Sequence, residues 1–556
     1  MPWHTSTWTY RAVTVLLPLT ALVAFYPARP PAVTRTSEFQ TERALAHVRD
    51  IAAEPHPSGS RANERVLAYL TDQFRALGLD PQVQEAAVHT RAGVPYTVRN
   101  LLVRIPGAAN APRPAIALAA HYDSAPGAPG AGDDAAGVAA LLEVARLTRG
   151  PAAPRHDLIL ILSDGEERGM LGAQAFCGQH FWSDETTPPH PWLADIAIVL
   201  NFEARGTAGP SVMFETAPGN LPLVRHLAEA APYPFANSLS YDVYRMLPND
   251  TDFTVFRRAG VKGLNFAFID GYFHYHRKTD TPENLDPRSL HHHGTYALSL
   301  ARHFANLDSS ELARLTATGH PNAVYFNLTP RLLARYPATW IWPLTAAQIL
   351  LTAGLITAAY RARIITARGL AGALLRLILA LLIAPAAAYG LLPTFRPPLT
   401  AAAFNGQLAA VVGTAVLITV LLATEFRRRV TSADLLALAL ILFAGLSVAA
   451  SLYLPGGTFV TLWPATFACA ALAARLRWPE TNWPRTAVSA LASLPTWLIA
   501  VPLCLMLFTA LRLETVLPPA IVLVPLVVLV TWLLTGTAAV GCGPAHGLRS
   551  ASKAAC

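Results

Sequence analysis

The sequence predicts an α/β domain, with a mainly parallel, mixed sheet and helices on both faces, followed by an all-α domain of several transmembrane spans. Three observations lead there. Up to about Ser310 the 556-residue chain carries Asp, Glu, His and Arg at ordinary globular density, whereas from Trp340 onward carboxylates nearly vanish and long Ala/Leu/Val/Ile tracts are separated by short Arg-containing breaks. Several short apolar runs in the first half are uninterrupted, as in strands buried on both faces. A helical stretch, Ala135 to Arg149, separates two of these runs and forms a strand–helix–strand unit.

Taken in order, Arg11 precedes an apolar run from Ala12 to Tyr26 that ends at the Pro/Arg stretch Pro27 to Pro31. Residues 1–31 are therefore expected to be a signal anchor with a span at about 12–26; a cleaved signal peptide is the alternative, and either one exports the chain beyond it. Residues 32–310 are expected to form the α/β domain, outside the cytoplasm. Within it Ala44–Ala53 and Asn63–Leu77 read as amphipathic helices, and Val98–Ile105, Ala115–Ala120, Leu158–Leu162, Ile196–Asn201, Ser211–Phe214 and Gly263–Phe268 as strands. Residues 311–337 read as a linker.

Residues 338–540 offer seven candidate spans, at about 338–360, 371–393, 401–424, 435–454, 458–474, 487–511 and 516–540, before a cytoplasmic tail at 541–556. Alternate breaks are basic: Arg361, Arg363 and Arg368; Arg427, Arg428 and Arg429; Arg475, Arg477 and Arg485; Arg549 and Lys553. The breaks between them hold Arg396 alone, the turn Pro455-Gly456-Gly457, or Arg512 with Glu514. The positive-inside rule puts the basic breaks in the cytoplasm and the α/β domain outside it.

The net charge of +8 comes largely from these loop arginines, and no basic stripe with interleaved aromatics points to nucleic acid, which is excluded as a partner. Lys262, Lys278 and Lys553 are the only lysines. That bias toward Arg and Ala suggests a high-GC bacterial genome, hence an inner-membrane protein. Of five cysteines only Cys177 lies in the first half, where it reads as buried and inert, and there is no CxxC pair. Any metal must therefore be held by His and carboxylates.

Five segments at or just beyond the ends of apolar stretches carry the chemistry. They are His121-Tyr122-Asp123, Gly132-Asp133-Asp134 at a helix start, Ser163-Asp164-Gly165-Glu166-Glu167, Asn201-Phe202-Glu203, and Tyr275-His276 followed by Asp280-Thr281. In an open α/β sheet the carboxyl ends of the strands share one crevice, and two imidazoles with several carboxylates converging there suit zinc. Amide hydrolysis at neutral pH needs a strongly activated water and a carboxylate to take its proton, which such a site provides.

The order and wording of these segments resemble the dizinc aminopeptidase and glutamate carboxypeptidase-like metallopeptidases. With Pro248-Asn249-Asp250-Thr251-Asp252-Phe253 and Asn201-Phe202-Glu203-Ala204, they look closest to the membrane-anchored subgroup that includes the vacuolar membrane protease and an endoplasmic-reticulum metallopeptidase. The resemblance covers residues 40–305 in detail and the remainder in architecture. It implies a zinc-exopeptidase-like fold, two zinc ions and a peptide substrate, most simply for an aminopeptidase. His121 and Glu203 would bind one zinc and Glu167 and His276 the other, with Asp133 bridging them and a cis peptide between Asp133 and Asp134. Glu166 would be the general base, and Asp123 would hydrogen-bond the His121 imidazole. Many soluble relatives have Asp where this chain has Glu203, although the subgroup uses Glu. Asp252 and Arg205 are candidate substrate-binding residues, with a helix cap as the alternative for Asp252. The run His291-His292-His293 is expected on a helix and facing solvent.

Two other functions fit the same fold. Glutaminyl cyclases typically use one zinc and usually lack the second Asp of the pair that stands here as Asp133-Asp134. A catalytically inactive binding ectodomain would have lost ligands or the base, and here none is missing. A transport role for the spans is disfavoured by the scarcity of ionisable residues at mid-depth, Arg376 being the main exception.

Overall fold

The computed structural model describes residues 30–34, 37–108, 114–185, 187–391, 430–478 and 482–511. The expected anchor at 12–26, the spans at 401–424 and 516–540, the tail at 541–556 and the breaks around Arg396, Arg427–Arg429, Arg512 and Arg549 lie outside the described residues.

Seven strands form one sheet: β1 (Gln82–His89), β2 (Pro95–Ile105), β3 (Ala115–His121), β4 (Leu158–Ser163), β5 (Ile196–Ala204), β6 (Val212–Thr216) and β7 (Lys262–Phe268). Their spatial order is β1-β2-β4-β3-β5-β7-β6. The four central strands β4, β3, β5 and β7 run parallel, while β1, β2 and β6 pair antiparallel at the two edges. The mixed, mainly parallel sheet is thus present, and all six expected strands belong to it. β1 is the addition.

Every residue of β3 and of β4 is buried. The strand period of two sorts them into two cores. Ile116, Leu118, Ala120, Leu158, Leu160 and Leu162 face one core, with the helices Thr41–Ile51, Arg61–Ala76, Ala136–Leu147 and Pro287–Asn306. Ala115, Ala117, Ala119, Ile159 and Ile161 face the other, with the helices Leu171–Cys177 and Asp252–Arg258. Ser60 caps the second helix of the first core by accepting the Asn63 N–H at 3.1 Å, which satisfies one of its free amide donors.

Two expectations are corrected. Residues 311–337 are not a bare linker. They hold the end of a helix, Ser309–Thr316, and an antiparallel hairpin of β8 (Ala323–Thr329) and β9 (Leu332–Pro337). His291, His292 and His293 lie on the expected helix but are buried, because their rings find polar partners inside the fold. His291 Nδ1 pairs with Thr41 Oγ1 at 2.9 Å, and His292 Nδ1 accepts the Ser211 N–H at 3.1 Å.

Beyond β9 come helices Ile341–Arg361, Ala367–Leu391, Ser432–Tyr453, Phe459–Arg477 and Trp483–Leu511, at the positions of five of the expected spans. Among the described residues three segments, Ala338–Arg361, Ser432–Tyr453 and Pro455–Arg477, are long and apolar enough to cross a membrane. Twenty residues of helix rise about 30 Å, the hydrocarbon thickness. Large apolar side chains such as Leu350, Leu375, Leu382 and Leu452 point outward from these helices, as a lipid-facing surface requires.

The α/β domain and the membrane helices are held in contact at one turn. Gly456 donates its N–H to Asp242 Oδ2 at 2.7 Å and accepts from Ser238 Oγ at 2.5 Å. A Cβ at Gly456 would lie 2.5 Å from the Ser238 carbonyl oxygen, so this approach requires glycine. Phe326 of β8 stacks on Phe459 of the membrane region with ring centres 4.7 Å apart.

Candidate metal centre

The strand registers bring the candidate side chains to one edge of the sheet. His121, the last residue of β3, pairs with Ser163 at the end of β4, and Ala119 pairs with Asn201 in β5, so His121 stands level with Glu203. Asp133 arrives from the turn before helix Ala136–Leu147, Glu166 and Glu167 from the turn after β4, and His276 from the loop after β7.

Two groups of metal-ligating side chains result. His121, Asp133 and Glu203 form one; Asp133, Glu167 and His276 form the other. Asp133 is shared, one carboxylate oxygen to each: Oδ1 lies 3.1 Å from His121 Nε2, and Oδ2 lies 3.2 Å from His276 Nε2. Glu203 Oε2 is 3.6 Å from His121 Nε2, and Glu167 Oε2 is 3.0 Å from His276 Nε2. Glu167 Oε1 is buried with no hydrogen-bond partner among the described residues, an orphan acceptor of the sort a cation satisfies. The donor set is therefore chemically suited to divalent metal.

The electrostatics agree. Burial, with the Glu203 charge second, pushes Glu166 well above the usual carboxylate range. Burial and the neighbouring Asp133 charge raise Glu167 to about 7, against the opposing pull of His276. Burial also raises Glu203. At His276 the carboxylates of Asp133 and Glu167 outweigh burial, which acts the other way, and lift the imidazole to about 10. Such crowding of acids is what a bound cation relieves.

Surrounding groups fix the ligands. Asp280 clasps the Asp133 loop, its Oδ1 accepting the Gly132 N–H at 2.7 Å and its Oδ2 the Asp133 N–H at 3.3 Å. The Asp133–Asp134 peptide is cis. Asp134 accepts the Gly137 N–H at 3.1 Å, and a Cβ on Gly137 would sit 2.5 Å from the Asp134 carboxylate. Asn201 donates to Glu203 Oε1 at 3.2 Å and to Asn265 Oδ1 at 3.0 Å. Sequence reasoning gives Asp280 and Asn201 no role. The signal for Asn201 was its position two residues before Glu203, on the same face of β5.

Asp123 differs from expectation. The His121 Nδ1–H donates to the Asp123 backbone carbonyl at 2.9 Å, while the carboxylate stands 3.6 Å away. That carboxylate instead accepts the Glu166 N–H at 3.0 Å and the Glu167 N–H at 3.4 Å. Asp252 also departs from expectation: it is buried, hydrogen-bonded to the Ser163 hydroxyl, and neither lines the cleft nor serves as the N-cap of its helix, which is Thr251.

The two groups open into a cleft of about 700 Å³ whose lining includes Asp133, Glu166, Glu167, Glu203, Arg205 and His276. Tyr275 also lines it and stacks on His276, with ring centres 3.8 Å apart.

A mainly parallel sheet that carries two His–carboxylate groups at its carboxyl edge, joined by one shared Asp, is a framework suited to binding divalent metal. Residues 100–301 match the family model for peptidase family M28. Among curated proteins it is similar to the vacuolar membrane protease of Candida albicans, 32% identical over 279 residues that make up 50% of this chain and 31% of that protein. It is likewise similar to endoplasmic reticulum metallopeptidase 1 of Mus musculus, 29% identical over 352 residues, 58% of this chain and 37% of that protein. The chain thus spans about a third of the length of these relatives. Among solved structures it aligns with a Zn-dependent exopeptidase from Parabacteroides distasonis at 21% identity and TM-score 0.38, covering 48% of this chain and 99% of that one. A glutaminyl cyclase from Porphyromonas gingivalis aligns at 19% identity and TM-score 0.39, covering 48% and 99%.

Proposed function

We propose that this protein is a two-zinc exopeptidase, an aminopeptidase, anchored in a membrane with its catalytic domain on the extracytoplasmic side. The observation that carries the reading is the division of Asp133 between His121 and His276, one carboxylate oxygen each, which makes room for a metal pair rather than a single ion. His121 and Glu203 would hold one zinc and Glu167 and His276 the other, with Asp133 shared between the two groups. When bound, zinc supplies Lewis acidity and brings the pKa of its water to about 7.

Glu166 takes the proton of the attacking water and passes it to the departing amine. The raised pKa of its carboxyl, caused by burial and by Glu203, suits it to hold that proton between the two transfers. Asp123 fixes the backbone of Glu166 and Glu167, and would so hold one side chain toward the water and the other as a ligand. Arg205 and Tyr275 line the same cleft and are placed to meet the substrate backbone.

The membrane placement is supported by the ends of the helices. The uncharged turn Pro455–Gly457 touches the peptidase domain, whereas the turns carrying Arg361, Arg363 and Arg368 and carrying Arg475, Arg477 and Arg485 lie at the opposite helix ends. Exposed aromatic side chains mark both levels, Trp340, Trp342 and Tyr453 at the near end and Tyr360 and Trp483 at the far end. Basic turns remote from the peptidase domain fit a cytoplasmic location for them and the bacterial inner membrane as the site.

The test is a peptide-library digest by the full chain in detergent micelles, read by mass spectrometry before and after chelation, with zinc measured per protein. Stepwise loss of N-terminal residues, abolished by chelator, with close to two zinc ions is the expected result. One zinc with cyclisation of N-terminal glutamine would make the protein a cyclase instead.

A further inference from the structure

The cleft is not built by the peptidase domain alone. Met506, on the helix Trp483–Leu511, lines the same cleft as Glu166 and His276. That helix has 29 residues, and Met506 and Thr509 lie near its C-terminal end. It runs up beside the peptidase domain: the Met506 sulfur is 3.5 Å from both Asn237 Nδ2 and Ser240 Oγ, and Thr509 hydrogen-bonds Asp270.

The opposing element is the short helix Ser238–Tyr244, whose Ser240, Val243 and Tyr244 line the cleft, with Leu247 just beyond it. This helix is itself clamped to the membrane region through the Gly456 hydrogen bonds to Ser238 and Asp242. Leu239 belongs to the hydrophobic core of the membrane helices, and Val243 and Met506 pack against that core. Val243 and Met506 therefore belong both to the wall of the cleft and to the apolar cluster of the membrane helices. None of Ser240, Val243, Tyr244, Leu247 and Met506 carries a charge.

We infer that the membrane helices supply one wall of the peptidase cleft, and that this wall, with Met506 as the residue the membrane domain contributes, selects peptides bearing a bulky apolar side chain beside the scissile bond. The inference rests on the peptidase reading above for the nature of its ligand. An apolar wall rewards each added methylene of a seated side chain, and such pockets discriminate by about tenfold or more per methylene. The sulfur and flexible stem of Met suit a wall that admits several apolar shapes.

The test uses the full chain in detergent micelles and binding rather than turnover. The probes are trialanine with its first peptide bond reduced, so that it cannot be hydrolysed, and two counterparts with leucine on either side of that bond. Calorimetry should show at least one leucine peptide binding at least about tenfold tighter than trialanine. Met506→Ala should narrow that gap by at least about threefold, and Met506→Leu, which keeps an apolar stem, should preserve it. No leucine preference in the wild type, or an undiminished preference in Met506→Ala, overturns the inference. If the leucine preference and its loss in Met506→Ala are seen but no unmodified peptide is cleaved, the wall assignment stands and the peptidase reading fails.

Discussion

The carboxylate of Asp123 accepts the backbone N–H of Glu166 at 3.0 Å, and with its other oxygen that of Glu167 at 3.4 Å. Asp123 is thus a positioning residue: its carboxylate is buried, does not line the cleft, and acts on the turn that presents both glutamates. Asp123→Asn keeps the shape but leaves only one acceptor oxygen for two amides. A hydrogen bond to a charged group contributes about 1.5–3 kcal/mol, so kcat should fall about ten- to a hundredfold if that support is expressed in the transition state. KM should change little, because no substrate contact is removed. Steady-state kinetics with a zinc measurement check this; a change confined to KM would place Asp123 against the substrate instead.

Glu166 and Glu167 sit side by side on one turn, yet only Glu167 approaches a histidine of the metal groups. Glu166→Gln should lower kcat by at least about a hundredfold while zinc per protein stays near that of the wild type. Glu167→Gln should lower zinc content as well as rate, because it removes a proposed ligand. The comparison of zinc per protein with kcat for both variants decides the assignment. Near-normal turnover in a fully loaded Glu166→Gln protein would show that another group is the base.

How much of this was legible in the sequence depends on where each residue finds its partner. β3 and β4 are readable because burial on both faces leaves unbroken apolar runs, and the ligands stand at their ends. β1 is not, because it lies at the edge with Gln82, Val83 and Glu85 exposed, so its pattern is neither a run nor an alternation. The hairpin β8–β9 hides in what reads as a linker: the apolar side chain of Phe326 is explained by Phe459, far along the chain. The role of Asp123 was half legible. Its nearness to His121 could be read from the spacing, but its grip on Glu166 depends on two strands lying side by side.

The orientation of the helices can be tested without an activity assay. A reporter inserted at Gly456 disrupts the contact with Ser238 and Asp242, so the insertion belongs at the neighbouring Leu454, with a second one after Arg477. The first should report an extracytoplasmic location and the second a cytoplasmic one, as the basic residues Arg475, Arg477 and Arg485 require. The reverse pattern would put the catalytic cleft in the cytoplasm.

The buried histidines of helix Pro287–Asn306 make stability depend on pH away from the metal centre. His292 is held neutral with both nitrogens used, Nδ1 accepting from the Ser211 amide and Nε2 donating to the Tyr233 carbonyl at 2.9 Å. His293 lies with its Nδ1 2.8 Å from Ser211 Oγ and its ring edge-on to Phe202 and Phe268. Burial lowers their pKa values from 6.5 to about 4 and about 3. As pH falls through 6.5 the unfolded chain takes up a proton at each site, and the folded protein does not until near pH 4 or 3. Stability is therefore complete above about 6.5 and declines below it, by up to about 1.4 kcal/mol per pH unit for each histidine. His293→Phe keeps a ring against Phe202 and Phe268 but removes one titrating group. Whatever its melting temperature at pH 7.5, its decline between pH 6.5 and 4.5 should be shallower than the wild type's by the contribution of about one proton. The residues of the candidate metal centre titrate alike in both proteins, so the difference between the two slopes isolates His293. Parallel melting curves across that range would mean that His293 is already protonated in the folded state, and that the pocket formed by Ser211, Phe202 and Phe268 tolerates its charge.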